Sequence, residues 1–281
     1  MPGFTSRDDI ISEITVNGKV DQYNFYKIAP TASTNVAGTW QSLWSGVGNP
    51  GAASAVATST PGVLYDSDTI SAASSAIHFT NRSPDLKYLL SVGGVANQSC
   101  TMMVYDRLVA VGNISLTTTG SKTVNSTALL TRYNTATDAL LNEAWLEITT
   151  ASTTTAAVVN LSGYTTASGA SATVGGNVTF PAAATTATTM IQLPLSPTLR
   201  GVRSVQTLNV TTATTACIAN LVIIRPLARI PIVSGQWNEV SFLDDVSGIP
   251  RIYDEASLGV AVFVPATVTT TVWGTITCAY G

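Results

Sequence analysis

The residues able to do chemistry are few and scattered. One histidine, His78, lies in Ala76-Ile77-His78-Phe79-Thr80. A Ser-His-Asp relay would need it, yet no Gly-x-Ser-x-Gly turn is present to raise a nucleophile. One imidazole cannot supply the two- or three-histidine set of the common zinc sites. Flanked by Ile77 and Phe79, it reads as a structural residue. Cys100, Cys217 and Cys278 are far apart, odd in number and without a C-x-x-C pair. They read as free, half-buried thiols in strands rather than a disulfide framework or a metal or redox pair. Gly46-Val47-Gly48-Asn49-Pro50-Gly51 matches Gly-x-Gly-x-x-Gly literally. A dinucleotide site needs a strand before that motif and a helix opening within it. Here Pro50 removes an N–H, and the chain soon reaches Pro61-Gly62, so the motif reads as a turn-rich loop.

Carboxylates offer slightly more. Asp244-Asp245 and Asp254-Glu255 flank Gly248-Ile249-Pro250. Loop carboxylates can hold calcium through about six to eight oxygens, but no EF-hand spacing is present. A solvated loop or a polar contact between subunits is the expectation. A glycosidase pair can be assembled from distant strands, and nothing singles one out. No catalytic residue, cofactor or metal is expected, and the chain is not expected to be an enzyme.

The aromatic and apolar residues are more informative. Trp40 and Trp44 lie four apart beside a Gly/Pro loop. They suit core or arm packing, an anchor in a subunit interface, where Trp is enriched, or stacking on carbohydrate. Thr5-Ser6-Arg7-Asp8-Asp9 offers hydroxyl caps with acids three residues on. Ile10, Ile11 and Ile14 follow at helical spacing, and Asn17-Gly18 is a stop signal. A helix of about three turns is marginal alone, so its apolar face must dock on its own body or on a neighbour. Ile10, Ile11, Ile14, Trp40 and Trp44 are therefore the candidate partner-interface residues.

The remaining elements read as strands. Leu258, Val260, Val262 and Val264 alternate with Gly259, Ala261 and Phe263. Trp145 and Glu147 alternate with Leu146 and Ile148, and the stretches 157–162, 191–195 and 272–280 repeat the pattern. Period two with β-branched enrichment marks strands, separated by breaks such as Gly112-Asn113 and Gly175-Gly176-Asn177. The expectation is an all-β chain, a jelly-roll-like β-sandwich over residues 80–281. A helix and arm would occupy residues 1–30, and an extended or short-strand segment residues 31–79.

Composition narrows the function classes. Charged residues make up 10% of the 281, against about 25% in ordinary soluble domains, and 43 residues are threonine. Hydrophobic residues reach 45%, which excludes a disordered chain. A net charge of −3 disfavours nucleic acid, whose binding needs a basic face. The most apolar stretch, 218–233, is broken by Arg225, Pro226, Arg229 and Pro231, so no membrane span is expected. Residues 1–9 lack the pattern of a secretory leader. From Ile148 to Leu199 there is no charge at all. Surfaces normally carry both signs, so this stretch is either covered by neighbours or wetted through hydroxyls alone.

Several pieces together resemble structural proteins of tailed bacteriophages. They are Trp40-Gln41-Ser42-Leu43-Trp44 with the following Gly46 to Gly51 segment, Tyr105-Asp106-Arg107-Leu108, Gly201-Val202-Arg203-Ser204-Val205-Gln206, Arg225-Pro226-Leu227-Ala228-Arg229-Ile230-Pro231 and Pro250-Arg251-Ile252-Tyr253-Asp254-Glu255. The resemblance implies a virion component, made in the host cytoplasm and carried on the capsid surface. Its most concrete form is a decoration or cement protein that bridges major capsid protein subunits, with a homotrimer as the natural symmetric state. A tail, baseplate or fibre component, with a host-receptor role, is the alternative. A particle-borne glycan hydrolase is a third class.

Overall fold

The structure, a computed structural model, describes residues 3–29, 37–53, 56, 62–66, 76–124, 130–152, 156–180, 187–243, 248–265, 267 and 269–281. Along the chain, α1 (Arg7–Thr15) is followed by β1 (Val20–Ile28), β2 (Thr39–Ser42), β3 (Val47–Asn49), β4 (Val63–Leu64), β5 (Lys87–Ala96), β6 (Cys100–Ser115) and β7 (Gly120–Thr123). A 3-10 turn, Asp138–Leu141, leads into β8 (Glu143–Thr150), β9 (Val158–Thr166), β10 (Ser171–Ala172), β11 (Val178–Thr179) and β12 (Thr189–Gln192). The chain closes with β13 (Val202–Thr212), β14 (Ile218–Ile232), β15 (Asn238–Ser241), β16 (Arg251–Ile252), β17 (Leu258–Val264) and β18 (Thr271–Tyr280). Among the described residues the fold is mostly β, with α1 and the 3-10 turn as the helical elements given above.

The strands form three antiparallel sheets. One has six strands, in the order β15-β5-β18-β1-β3 with β16 also on β5. A second has five, in the order β10-β9-β13-β7 with β11 on β9. The third runs β14-β8-β12-β2-β17-β6, and β6 pairs back onto β14, so six strands close a ring with β4 attached outside it. Closure removes the unpaired edges that invite aggregation. It also gives every stave an inward and an outward set of side chains.

Those two sets are distinguishable in β17. Leu258, Val260, Val262 and Val264 join one continuous core with Phe25, Leu89, Val92 and Ile276 of the six-stranded sheet and Val159, Leu161 and Leu208 of the five-stranded sheet. The face that meets other sheets is the outside of the ring. Ala261 belongs to a separate cluster with Met103, Tyr105, Trp145, Met190, Val222 and Ile224, which therefore fills the inside. Pro226 and Pro231 fit this geometry. They lie past Ile224, where the pairing of β14 with β8 ends, so β14 has only β6 beside it there. A proline missing its N–H is tolerated on such a one-sided stretch.

The N-terminal segment is tied into the body. Ser6 caps α1, its Oγ accepting from Asp9 N at 3.1 Å, while Asp9 Oδ2 accepts from Thr5 N at 3.1 Å. Ile10 is 0% exposed, packed with Leu90, Ile249 and Ala279, and Phe4 and Ile14 lie against the same cluster. Residues 1–30 also supply β1, paired with β18 from Val20↔Ala279 to Ile28↔Thr271. Residues 31–79 hold β2, β3 and β4, of which β2 is a stave of the ring between β12 and β17. Helix α1 covers only one end of the outer face of the six-stranded sheet. The other end carries Trp273, Trp237 and Tyr26 and stays open to solvent.

The uncharged stretch 148–199 builds β9, β10, β11 and β12, hence most of the five-stranded sheet. Val159, Leu161 and Tyr164 point into the core. The opposite face of β9 and β13 is a hydroxyl and amide surface, half-buried and internally bonded. Ser162 Oγ donates to Thr207 Oγ1 at 3.0 Å, Gln206 Nε2 to Ser204 Oγ at 2.7 Å, and Asn160 Nδ2 to Asn177 Oδ1 at 2.7 Å. No helix among the described residues is long and apolar enough to cross a membrane.

Candidate functional site

The densest polar chemistry lies inside the ring. Asp106 and Arg107 are consecutive in β6, so their side chains leave on opposite sides of the strand. Arg107 points in and meets Glu147 of β8, with its two terminal nitrogens donating at 3.3 and 2.8 Å to Oε1 and Oε2. Its guanidinium also stacks on Trp44 at 4.8 Å and Tyr65 at 5.0 Å. Those rings meet edge to face at 5.5 Å. Asp106 points out and is gripped by Arg132 through two bonds of 2.6 Å, with Ser257 N donating at 3.0 Å.

Electrostatics set the charge state of this pair. Burial pushes the Glu147 carboxyl up, but the Arg107 guanidinium, aided by Ser42 and Asn220, outweighs it and holds Glu147 below the ordinary carboxylate range. Glu147 is thus an ionised structural partner, not a proton donor. Burial pushes the Tyr105 hydroxyl up to about 12. Arg107 Nε and Trp44 Nε1 are buried without a hydrogen-bond partner among the described residues. A recess of about 510 Å³ reaches Glu147 and is lined also by Trp44, Asn113, Thr149, Thr188 and Asn220.

A second carboxylate shares the inner face. Glu143 accepts from Trp145 Nε1 at 2.9 Å and from the Arg229 guanidinium at 3.0 and 3.1 Å. Arg229 also reaches Trp40, 6.0 Å from its ring centre, and Trp40 touches Phe263 at 5.6 Å and Trp145 at 6.2 Å. Glu143 and Glu147 are four residues apart on one strand, which places their backbones about 13 Å apart. Paired glycosidase carboxyls lie roughly 5–9.5 Å apart, and each of these already serves an arginine.

The sequence candidates divide accordingly. Ile10 and Trp44 are buried by the chain itself, so neither is open to a partner as folded. Ile14 and Trp40 are half-buried, and Ile11 is 42% exposed. Of this set, Ile11 is exposed, and Ile14 and Trp40 keep part of their surface open. Trp40 and Trp44 both pack on the inner cluster, Trp40 near Arg229 and Trp44 near Arg107. The Gly46 to Gly51 loop presents carbonyls rather than amides: Lys27 Nζ donates to Gly46 O at 3.1 Å and Gly51 O at 3.0 Å. Gly48 is required there, because its φ is +140° and a Cβ would fall 1.9 Å from Tyr26 O. His78 is half-buried beside the bridge between Ile77 and Leu258. Asp244 and Asp245 lie outside the described residues, and Asp254 pairs with buried Lys87 at 2.7 Å. All three cysteines are free and buried, with burial raising Cys100 and Cys217 to about 11 and Cys278 to about 12. Among the described residues, no group of three or more His, Cys, Asp or Glu side chains is placed to hold a metal.

No protein-family model, curated protein or solved structure matches this chain. Sequence reading missed the two interior ion pairs. Their signal was available, since Asp106-Arg107 interrupts the apolar run Met102 to Val111, and charges within such a run point to buried partners. It also missed Trp237 and Trp273 as surface residues, because β18 alternates the same way whichever face is exposed.

Proposed function

We propose that this chain is a structural protein of a tailed-bacteriophage particle, a decoration or cement protein seated on the capsid surface. In this reading its body is a jelly-roll-like sandwich built around the closed ring. A homotrimer placed over the junctions of major capsid protein subunits holds the shell together. The observation that carries the reading is the hydroxyl and amide face of β9 and β13, two strands whose one charged residue is Arg203. A free-standing surface of this size ordinarily mixes charges. A face so poor in charge and internally ordered suits a fixed neighbour, where many modest contacts repeat by symmetry and add through multivalency.

The interior supports the same reading. Two of its buried ion pairs, Arg107–Glu147 and Arg132–Asp106, lock β6 to β8 and to the 130s segment. The molecule is thus built for rigidity. The test is sedimentation of purified particles with and without the protein, with copy number by quantitative mass spectrometry. Hundreds of copies per particle, and shells that burst more easily without them, are expected of a symmetric coat. A dozen copies or fewer, with intact shells and lost adsorption, would move the protein to the tail.

A further inference from the structure

The open end of the six-stranded sheet carries an aromatic strip that the interior account does not use. Trp273 of β18 and Tyr26 of β1 are a cross-strand pair, with ring centres 4.8 Å apart and planes only 32° apart. On the other side of β18 lies Gly93 of β5, paired with Thr275. The Trp237 indole rests on that glycine: a Cβ there would come within 2.6 Å of the ring. Adjacent strands are about 4.8 Å apart, so the three rings follow one another across neighbouring strands. Trp237 is 53% exposed and Trp273 47%. The residues between them are hydroxyl and amide groups, with Thr275 Oγ1 donating to Asn24 Oδ1 at 2.8 Å. The charged group beside the strip is Glu239, whose carboxylate accepts from Trp237 Nε1 at 3.4 Å.

We propose that this strip binds a neutral glycan chain, its sugar rings stacked on Trp237, Trp273 and Tyr26. Flat aromatic faces match the C–H faces of sugar rings, and amide and hydroxyl neighbours match sugar hydroxyls. Among the described residues, no cation is placed on the strip to meet an anionic partner. A second copy of the chain is a poorer match. A stable dimer hides about 800 Å² per partner. Three half-exposed rings of about 150–250 Å² each offer roughly 300 Å², interleaved with polar groups.

The test is affinity gel electrophoresis of the full chain through dextran, xylan or galactomannan, with alginate as the anionic control and sedimentation equilibrium run alongside. Retardation by at least one neutral polymer is expected. It should weaken at least about tenfold in Trp237→Ala and Trp273→Ala, as for a central aromatic anchor. Gly93→Val keeps both indoles but lifts Trp237 from the sheet, and should weaken binding as Trp237→Ala does. Thermal melting separates these losses from misfolding. No retardation by any of the three neutral polymers, equal retardation of wild type and variants, or retardation by alginate alone would overturn the proposal. So would self-association that the tryptophan variants abolish.

Discussion

The inside of the ring and the open face of the six-stranded sheet use the same kind of residue for opposite ends. Inside, Trp44, Tyr65, Tyr105 and Trp145 are sealed around an arginine–glutamate pair. Outside, Trp237, Trp273 and Tyr26 lie over threonine, asparagine and glycine with their faces toward water. The difference is enclosure. In the ring, aromatics pack around a buried charge pair, so each group depends on its neighbours. On the sheet, each ring is supported from one side only, and its removal leaves the body intact. Stability is therefore concentrated in the first region, and surface recognition in the second.

The sharpest way to break this contrast is to remove one half of the inner ion pair. Arg107→Ala leaves Glu147 buried and unpaired, which costs about 3–5 kcal/mol and should appear as a lower urea midpoint. Replacing both partners, Arg107→Met with Glu147→Leu, should recover most of that loss, since apolar residues of similar volume often substitute for a buried pair without penalty. Recovery would show that the pair fills and locks the ring. Failure to recover would mean that the charges themselves are needed.

The pH dependence is the next largest effect. Glu147 is held below its ordinary value near 4.5 in the folded chain. Between those two values the unfolded chain binds the extra proton, so stability rises with pH there. The contribution is complete above about pH 4.5 and is lost as pH falls through the folded-state value. Acid titration of the melting temperature should show this loss in wild type, and a smaller one in Glu147→Gln. The smallest effect belongs to the outer strip. Trp273→Ala should change stability by about 1 kcal/mol or less, although the same change is expected to weaken glycan binding.

Much of the secondary structure was legible because it is local. The alternation in β17 and β18 and the cap at Ser6 each depend on residues within a few positions of one another. Ring closure was not legible. β2 pairs with β12 and β17, roughly 150 and 220 residues away, and nothing in Thr39–Ser42 specifies those partners. Ile10 shows the other limit. Its helical spacing predicts a buried face, but not that Ala279 and Leu90 would cover it. The neutral stretch was visible in composition alone. That its β9 hydroxyls bond with those of β13, beyond the stretch, became evident only with the sheet register.

If the charge-poor face of β9 and β13 seats the protein on its particle, adding charge there tests this most directly. Thr165→Lys and Thr207→Lys, on half-buried outer positions of β9 and β13, should leave the melting temperature near wild type. Their long side chains can carry the charge out to water. Incorporation into purified particles, measured by quantitative mass spectrometry against wild type, is expected to fall at least about tenfold, as for a charge buried unpaired at an interface. Incorporation at the wild-type copy number would contradict the account.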